Sequence, residues 1–180
     1  MKLLLHTCCA PCSAAVIEWL LNNGTRPTLF FFNPNIFPRG EYEKRKAELT
    51  RHAQGLEVVD GDYHHELWLR EISGLEPEPE RGRRCLQCFK VRLLATAKLA
   101  HERGFRQFAT TLGSSRWKNL EQVNAAGHWA AEQVNACREE VAFFDKNWRK
   151  DGLQLRRRAL LAEHGFYNQA YCGCEFSMGK

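Results

Sequence analysis

Residues 1–13 read MKLLLHTCCAPCS. Residues 2–7 are an apolar run of the length of a buried strand, and it ends on three thiols within five positions, Cys8, Cys9 and Cys12. Ser13 and the AAVIEWLLNN that follows, stopped at Gly24, have the pattern of a capped helix. A strand that passes directly into a helix is the opening of a parallel α/β arrangement, and it predicts that the rest of the chain alternates in the same way.

It does. A second β-prone run at 28–32 leads through NPNIFPRG into a charged helix over 41–54, and a short strand at 56–59 precedes a helix over 65–72. The segment EPEPERGRR is polar and Pro-rich, a candidate lid or loop. CLQCFKVRLLATAKLAHERG then has helical spacing through Leu93, Leu94, Ala97 and Ala100, with Gly104 as its stop, so Cys85 and Cys88 fall at that helix's N-terminus. Residues 106–111 read as a strand, GSSRWKNLEQV as the opening of a helix, and 141–144 as a last strand. The expected fold is α/β: a three-layer, Rossmann-like (HUP-like) parallel sheet covered on both faces, one domain over residues 1–180, with a cysteine-rich metal site at the carboxyl ends of the strands. Ligands collect beyond those ends in open parallel sheets. That rule gathers Cys8, Cys9 and Cys12, then Asn33 and Asn35, then Thr110, Thr111, Ser114 and Ser115 around one crevice.

At 44% apolar and 26% charged residues the composition is that of an ordinary globular protein, and no apolar run is long enough to span a bilayer. The N-terminal leucine run is too short for a signal-peptide core, so the chain is expected in the cytosol, as a monomer. Eight cysteines are too sparse for a secreted disulfide scaffold; in a reducing compartment clustered thiols are metal ligands or redox groups. The net charge is +5, and Lys146, Arg149, Lys150, Arg156, Arg157 and Arg158 crowd one stretch, a patch suited to a polyanion or simply a solvated helix face.

Cys85-Leu86-Gln87-Cys88 is a chelating pair at a helix start, where the dipole and exposed amides favour thiolate. Together with Cys8-Cys9 it offers four sulfur ligands, which suit zinc or a [4Fe–4S] cluster equally. Cys172-Gly173-Cys174 differs: two cysteines one residue apart close only a small, strained disulfide ring, a redox-active pair, the alternative being further metal ligands or free thiols. Cys137, alone in AAEQVNAC, has the pattern of a small buried residue, and His6 that of a core histidine.

LLLHTCCAPCS, FFNPNIFPRGEYEKR, EPERGRRCLQCFKVRL, TTLGSSRWK, FFDKNWRKDG and QAYCGCEFS, in this order from the first strand to the last residues, resemble the QueH-type, cobalamin-independent epoxyqueuosine reductases. The resemblance implies reduction of the epoxide of epoxyqueuosine at the tRNA wobble position to queuosine, an iron–sulfur enzyme, tRNA as partner and an external electron donor. Carried over by motif, Cys8, Cys9, Cys85 and Cys88 hold a [4Fe–4S] cluster and Cys172 with Cys174 form the redox-active disulfide. Cys12 would serve an additional iron, a Lewis acid for the epoxide oxygen.

Candidate proton donors are His6, Glu80, Asp145 and Tyr171. Asn33 and Asn35 are candidates for holding the base or its diol, Lys118, Arg149 and Lys150 for phosphate contacts, and Trp117, Trp148 and Phe37 for base stacking. Two other readings compete. A zinc-stabilised tRNA-binding module without catalysis leaves Cys12 and the Cys172–Cys174 pair unexplained. An ATP-dependent tRNA thiolase needs a Gly/Ser-rich phosphate loop where this chain has TCCAPCS.

Overall fold

The computed structural model describes residues 2–53, 55–135 and 141–178; Cys137 lies outside them. Strands β1 (Leu3–Thr7), β2 (Thr28–Phe31), β3 (Val58–Asp60), β4 (Gln107–Thr110) and β5 (Ala142–Phe143) form one parallel sheet in the order β3-β2-β1-β4-β5. Helices α1 (Ala10–Asn22), α2 (Arg39–Arg51), α3 (His65–Glu71), α4 (Arg83–Glu102), α5 (Leu120–Val134) and α6 (Leu153–His164) supply the layers that cover it.

The central strand shows why both faces must be covered. All five residues of β1 are buried, and they alternate. Leu4 packs with Phe30, Phe108 and the α4 and α5 residues Phe89, Leu93, Val123 and Ala126. Leu3 and Leu5 pack on the opposite face with Leu29, Ala109 and the α1 and α6 residues Val16, Ile17, Leu20 and Leu160. Burying each such apolar side chain contributes roughly 1.5–3 kcal/mol, so consecutive leucines at positions 3–5, which point alternately to the two faces, demand helices on both sides. β1 pairs with β2 on one edge and β4 on the other, which makes the gap between the ends of β1 and β4 the point where the winding reverses and a crevice opens.

His6 is fully buried in this strand. Its Nε2–H donates to the Phe32 carbonyl at 3.0 Å and its Nδ1 accepts from the Thr110 hydroxyl at 2.8 Å. Burial, reinforced by the Arg92 charge, lowers its pKa from 6.5 to about 3, so the ring is neutral at physiological pH and serves the core. A folded-state pKa below the unfolded value means that the unfolded chain binds the extra proton between pH 6.5 and 3, and stability falls as the pH drops through that window. Its contribution is roughly 1 kcal/mol per pH unit well below 6.5. His6→Gln should flatten the pH dependence of the unfolding free energy between pH 6.5 and 4.5; an unchanged slope in denaturant titrations would show that another group sets it.

The structure departs from the sequence reading at several elements. Helix α1 begins at Ala10, with Cys9 as its extended N-cap and Pro11 in the first turn, where a missing N–H costs nothing. Ser13 does not cap; its hydroxyl donates back to the Cys9 carbonyl at 2.7 Å. Cys12 therefore lies inside the first turn, close to Cys8 and Cys9. Strand β3 sits at Val58–Asp60, later than the expected 56–59. The basic run contains a helix, α6, whose Leu153 and Leu160 are buried against α1.

That run is also not one surface. Lys146 pairs with Asp151, Arg156 with Glu18, and Arg149 turns inward to donate to the Gly113, Ser115 and Lys118 carbonyls, while Arg157 and Arg158 face the crevice. Trp148 is core: 2% exposed, its Nε1–H donates to the Thr110 carbonyl at 3.0 Å and its ring meets Trp19 edge-on.

Candidate metal centre and its cleft

The thiols converge on a cleft of about 610 Å³ beyond the carboxyl ends of β1 and β4, a volume ordinary for a small-molecule site. Cys8, Cys9, Cys12, Cys85, Cys172 and Cys174 line it. Cys88 packs just behind, in a small cluster with Cys174, Trp68 and Ile72.

Cys8, Cys9 and Cys12 are all buried, and their sulfurs lie within 4.8 Å of one another, an arrangement that can hold a metal ion. The sulfurs already share charge. Hydrogen bonds from the Cys12 and Cys9 thiols hold Cys8 well below the usual thiol range, against burial and with help from Lys118 and Arg92. Donation to their neighbours and burial push Cys9 and Cys12 up. The triad thus concentrates what negative charge it carries on Cys8, and a cation drawn into it would favour ionisation of the other two.

The second group comes from the start of α4 and the turn at 172–174. The Arg81 amide donates to Cys85 Sγ at 3.3 Å, and the two α4 thiols lie in the first two turns, where the helix dipole favours thiolate. Burial works against that, raising Cys85 and taking Cys88 up to about 12; Cys174 is raised for the same reason. Cys172 is exposed to the cleft, and Cys172 and Cys174 are free thiols.

The 172–174 turn is tied down by α2. Arg45 is 2% exposed; its Nε donates to Glu41 at 2.7 Å and its Nη atoms to the Cys172 and Tyr171 carbonyls at 3.1 and 3.3 Å. Glu48 accepts the Tyr167 amide at 2.7 Å, and the Gly173 carbonyl accepts the Phe37 amide at 2.8 Å. Gly173 has φ +135°, and a Cβ there would stand 3.1 Å from Arg45 Nη1 and 3.2 Å from Ile36. Gly173→Ala should therefore lower the stability by about 1–3 kcal/mol and loosen the two thiols it separates. Denaturant midpoints check the first part, and a midpoint equal to wild type would mean that the turn has slack.

Three side chains around the thiols carry buried donors without acceptors. Arg84 and Arg92 are each 2% exposed, and among the described residues neither forms an ion pair with a carboxylate. Arg84 donates to the carbonyls of Glu76 and Glu78 and Arg92 to Asn33 Oδ1 at 2.5 Å, yet Arg84 Nε and Nη2 and Arg92 Nε have no partner among the described residues. Gln169 accepts the Cys9 thiol at 3.5 Å while its own Nε2 is unpartnered. Buried cations and N–H donors without acceptors are costly, and an anionic metal–thiolate centre satisfies both. Lys118 points the same way. Burial pulls its ammonium down, but the sulfurs of Cys172, Cys8 and Cys12 outweigh that and hold it charged.

The wider cleft is strongly cationic. Arg45, Arg81, Arg84, Arg116, Lys118, Arg157 and Arg158 line it against the single carboxylate of Glu80. Of the other residues singled out in the sequence, Tyr171 and Trp117 line the cleft as well. Asn33 is occupied inside the fold, its Nδ2 donating to the Thr7 carbonyl at 2.9 Å and its Oδ1 accepting from Arg92. Asn35 is buried beneath Gly173, with Oδ1 unpartnered. Arg149 braces the loop that carries Lys118, Lys150 is exposed, and Asp145 pairs with His128 on the outer surface. Arg45, Arg84, Arg92 and Gln169 escaped the sequence reading. Arg84 and Arg92 left a signal, standing four residues before and four after Cys88 on the same face of α4.

Fold and site together define a doubly wound α/β protein with a thiol centre that can hold a metal, in a cation-walled cleft. No helix among the described residues is long and apolar enough to cross a membrane. The family model described as epoxyqueuosine reductase QueH matches residues 3–180. Epoxyqueuosine reductase QueH of Haemophilus influenzae is 45% identical over 179 residues, which cover 98% of this chain and 71% of that protein. The QueH protein of Acinetobacter baylyi is 44% identical over 98% of this chain and 80% of its own length, and that of Thermotoga maritima 36% identical over 97% and 89%. The chain belongs to the epoxyqueuosine reductase QueH family and is an oxidoreductase.

Proposed function

We propose that this chain, acting as one domain in the cytosol, reduces the epoxide of epoxyqueuosine at the tRNA wobble position to the cyclopentene of queuosine. The observation that carries the reading is the convergence of six thiols and seven cationic side chains on one cleft in a chain of this family. Cys8, Cys9, Cys85 and Cys88 are the ligands of a [4Fe–4S] cluster, with Cys12 available to an additional mononuclear iron. A cluster held by these residues would supply one-electron redox chemistry at the cleft.

The chain's own residues then have definable tasks. Converting an epoxide to an alkene consumes two electrons and two protons and releases water. One dithiol passing to a disulfide yields the same two electrons and two protons, so Cys172 and Cys174 balance one turnover, and an external electron donor resets them. Arg45, through its bonds to the Cys172 and Tyr171 carbonyls, keeps that pair at the cleft. Lys118 offsets the negative charge that develops on the departing oxygen. The arginines of the mouth hold the phosphates of the RNA without reading its sequence. A closed structural zinc site needs four ligands and would leave Cys12 and the 172–174 pair without a task.

Anaerobically prepared protein, given a chemical reductant and tRNA carrying epoxyqueuosine, should yield queuosine on nucleoside analysis, with roughly four irons and four sulfides per chain. Zinc without sulfide in protein never exposed to air, and no conversion, would replace this reading with the binding module.

A further inference from the structure

Among the described residues, Trp117 is the most exposed aromatic side chain that lines the cleft. It is 66% exposed, whereas Trp148 is buried and Phe37, 38% exposed, is stacked on His65 at 5.3 Å. Leaving an indole in water forgoes the free energy of burying it, so the question is whether the exposure is accidental. The backbone says otherwise. Lys118 N–H donates to the Ser115 carbonyl at 3.2 Å, closing a tight turn that places Arg116 and Trp117 at its tip. Arg149 Nη2 pins both ends of that turn, donating to the Ser115 carbonyl at 2.6 Å and the Lys118 carbonyl at 2.7 Å. Arg81 Nε donates to the Trp117 carbonyl at 2.8 Å, and the Arg81 carbonyl in turn accepts from Gln122. The indole is therefore held out by a braced turn.

Its neighbours are cations. The Arg116 guanidinium lies 4.6 Å from the centre of the indole ring, over one face, and Arg81, Arg157 and Arg158 line the same cleft. A rigid aromatic face beside several guanidinium groups is what an unpaired nucleotide requires: the base stacks, and the adjoining phosphates meet the arginines. Double-stranded RNA has no splayed base to offer.

We propose that Trp117, backed by Arg116, is a stacking platform for an unpaired base of the RNA loop, next to the nucleotide that enters the cleft. This deepens the functional reading above and rests on it for the identity of the RNA. The platform supplies affinity and orientation; it takes no part in the chemistry at the thiols.

The test uses the metal-loaded protein and an unmodified anticodon stem-loop with 2-aminopurine at single loop positions, read by fluorescence and anisotropy. Wild type should quench the probe at one loop position. Trp117→Ala should abolish that quenching and weaken binding about 10- to 100-fold, the usual worth of one stacked base. Trp117→Phe should restore most of both, and Trp129→Ala, on the other side of α4, should change neither. A blunt RNA duplex should bind wild type and Trp117→Ala alike. If wild type binds the stem-loop and Trp117→Ala binds it equally well, the platform is wrong while the function stands. If wild type binds the stem-loop no better than the duplex, the RNA reading beneath the platform falls with it.

Discussion

Cys8→Ala should strip the protein of its metal and of its activity together. Cys8 is the one thiol of the triad whose pKa the site lowers, with the Cys12 and Cys9 thiols, Lys118 and Arg92 all favouring its charge. Removing it deletes the anchor around which the other two thiols would ionise. Turnover should drop to background, and iron and acid-labile sulfide should fall far below one cluster per chain. The apparent stability should fall as well, by about 4 kcal/mol where the bound group exceeds its dissociation constant a thousandfold. Cys12→Ser is the informative partner experiment. If Cys12 serves only an additional iron, the variant retains four sulfides and loses iron in excess of them. A Cys8→Ala protein that loads a full cluster would remove Cys8 from the ligand set.

Arg92→Met should change the loaded and stripped proteins in opposite directions. In the loaded protein the Arg92 charge compensates thiolates on both sides, since it favours ionisation of Cys8 and of Cys88. Losing such an outer partner typically costs 10- to 100-fold in metal retention. In the stripped protein the same guanidinium is 2% exposed with no carboxylate partner among the described residues. There it is a buried charge with only the Cys8 and Cys88 sulfurs to favour it, a burden that Met relieves in part. Part of that gain is lost because Asn33 Oδ1 is left without its donor, at about 1–3 kcal/mol. The melting temperatures of loaded and stripped protein should therefore lie closer together in Arg92→Met than in wild type. An undiminished gap would show that Arg92 is not the counter-charge of the centre.

Much of this architecture was legible without coordinates. An apolar residue at each of positions 3–5 announces a central strand, because only a strand covered on both faces buries every side chain. Alternation with helical segments then implies a parallel sheet, and the rule that ligands gather at the carboxyl ends of its strands brought Cys8, Cys9, Cys12 and the 110–115 segment together. The pairs Cys85/Cys88 and Cys172/Cys174 were visible because their spacing is local, and local spacing is what a sequence records directly.

What only the tertiary structure decided is long-range. Ser13 looked like a cap because hydroxyls favour caps, but Pro11 let α1 start earlier and carry Cys12 into the triad. The basic run looked like one surface because its members are neighbours in sequence; folding sent Arg149 inward, Arg156 to Glu18, and Arg157 and Arg158 to the cleft. Arg45 acquires its task from carbonyls 126 and 127 residues away, and Gln169 from a thiol 160 residues away. Trp117 and Trp148 are the same residue type in similarly basic stretches, yet one is 66% exposed and the other 2%. Periodicity and spacing are set by the local backbone, so the sequence carries them; which buried charge lacks a counter-ion, and which aromatic is left in water, depends on distant segments meeting, and only the fold determines that.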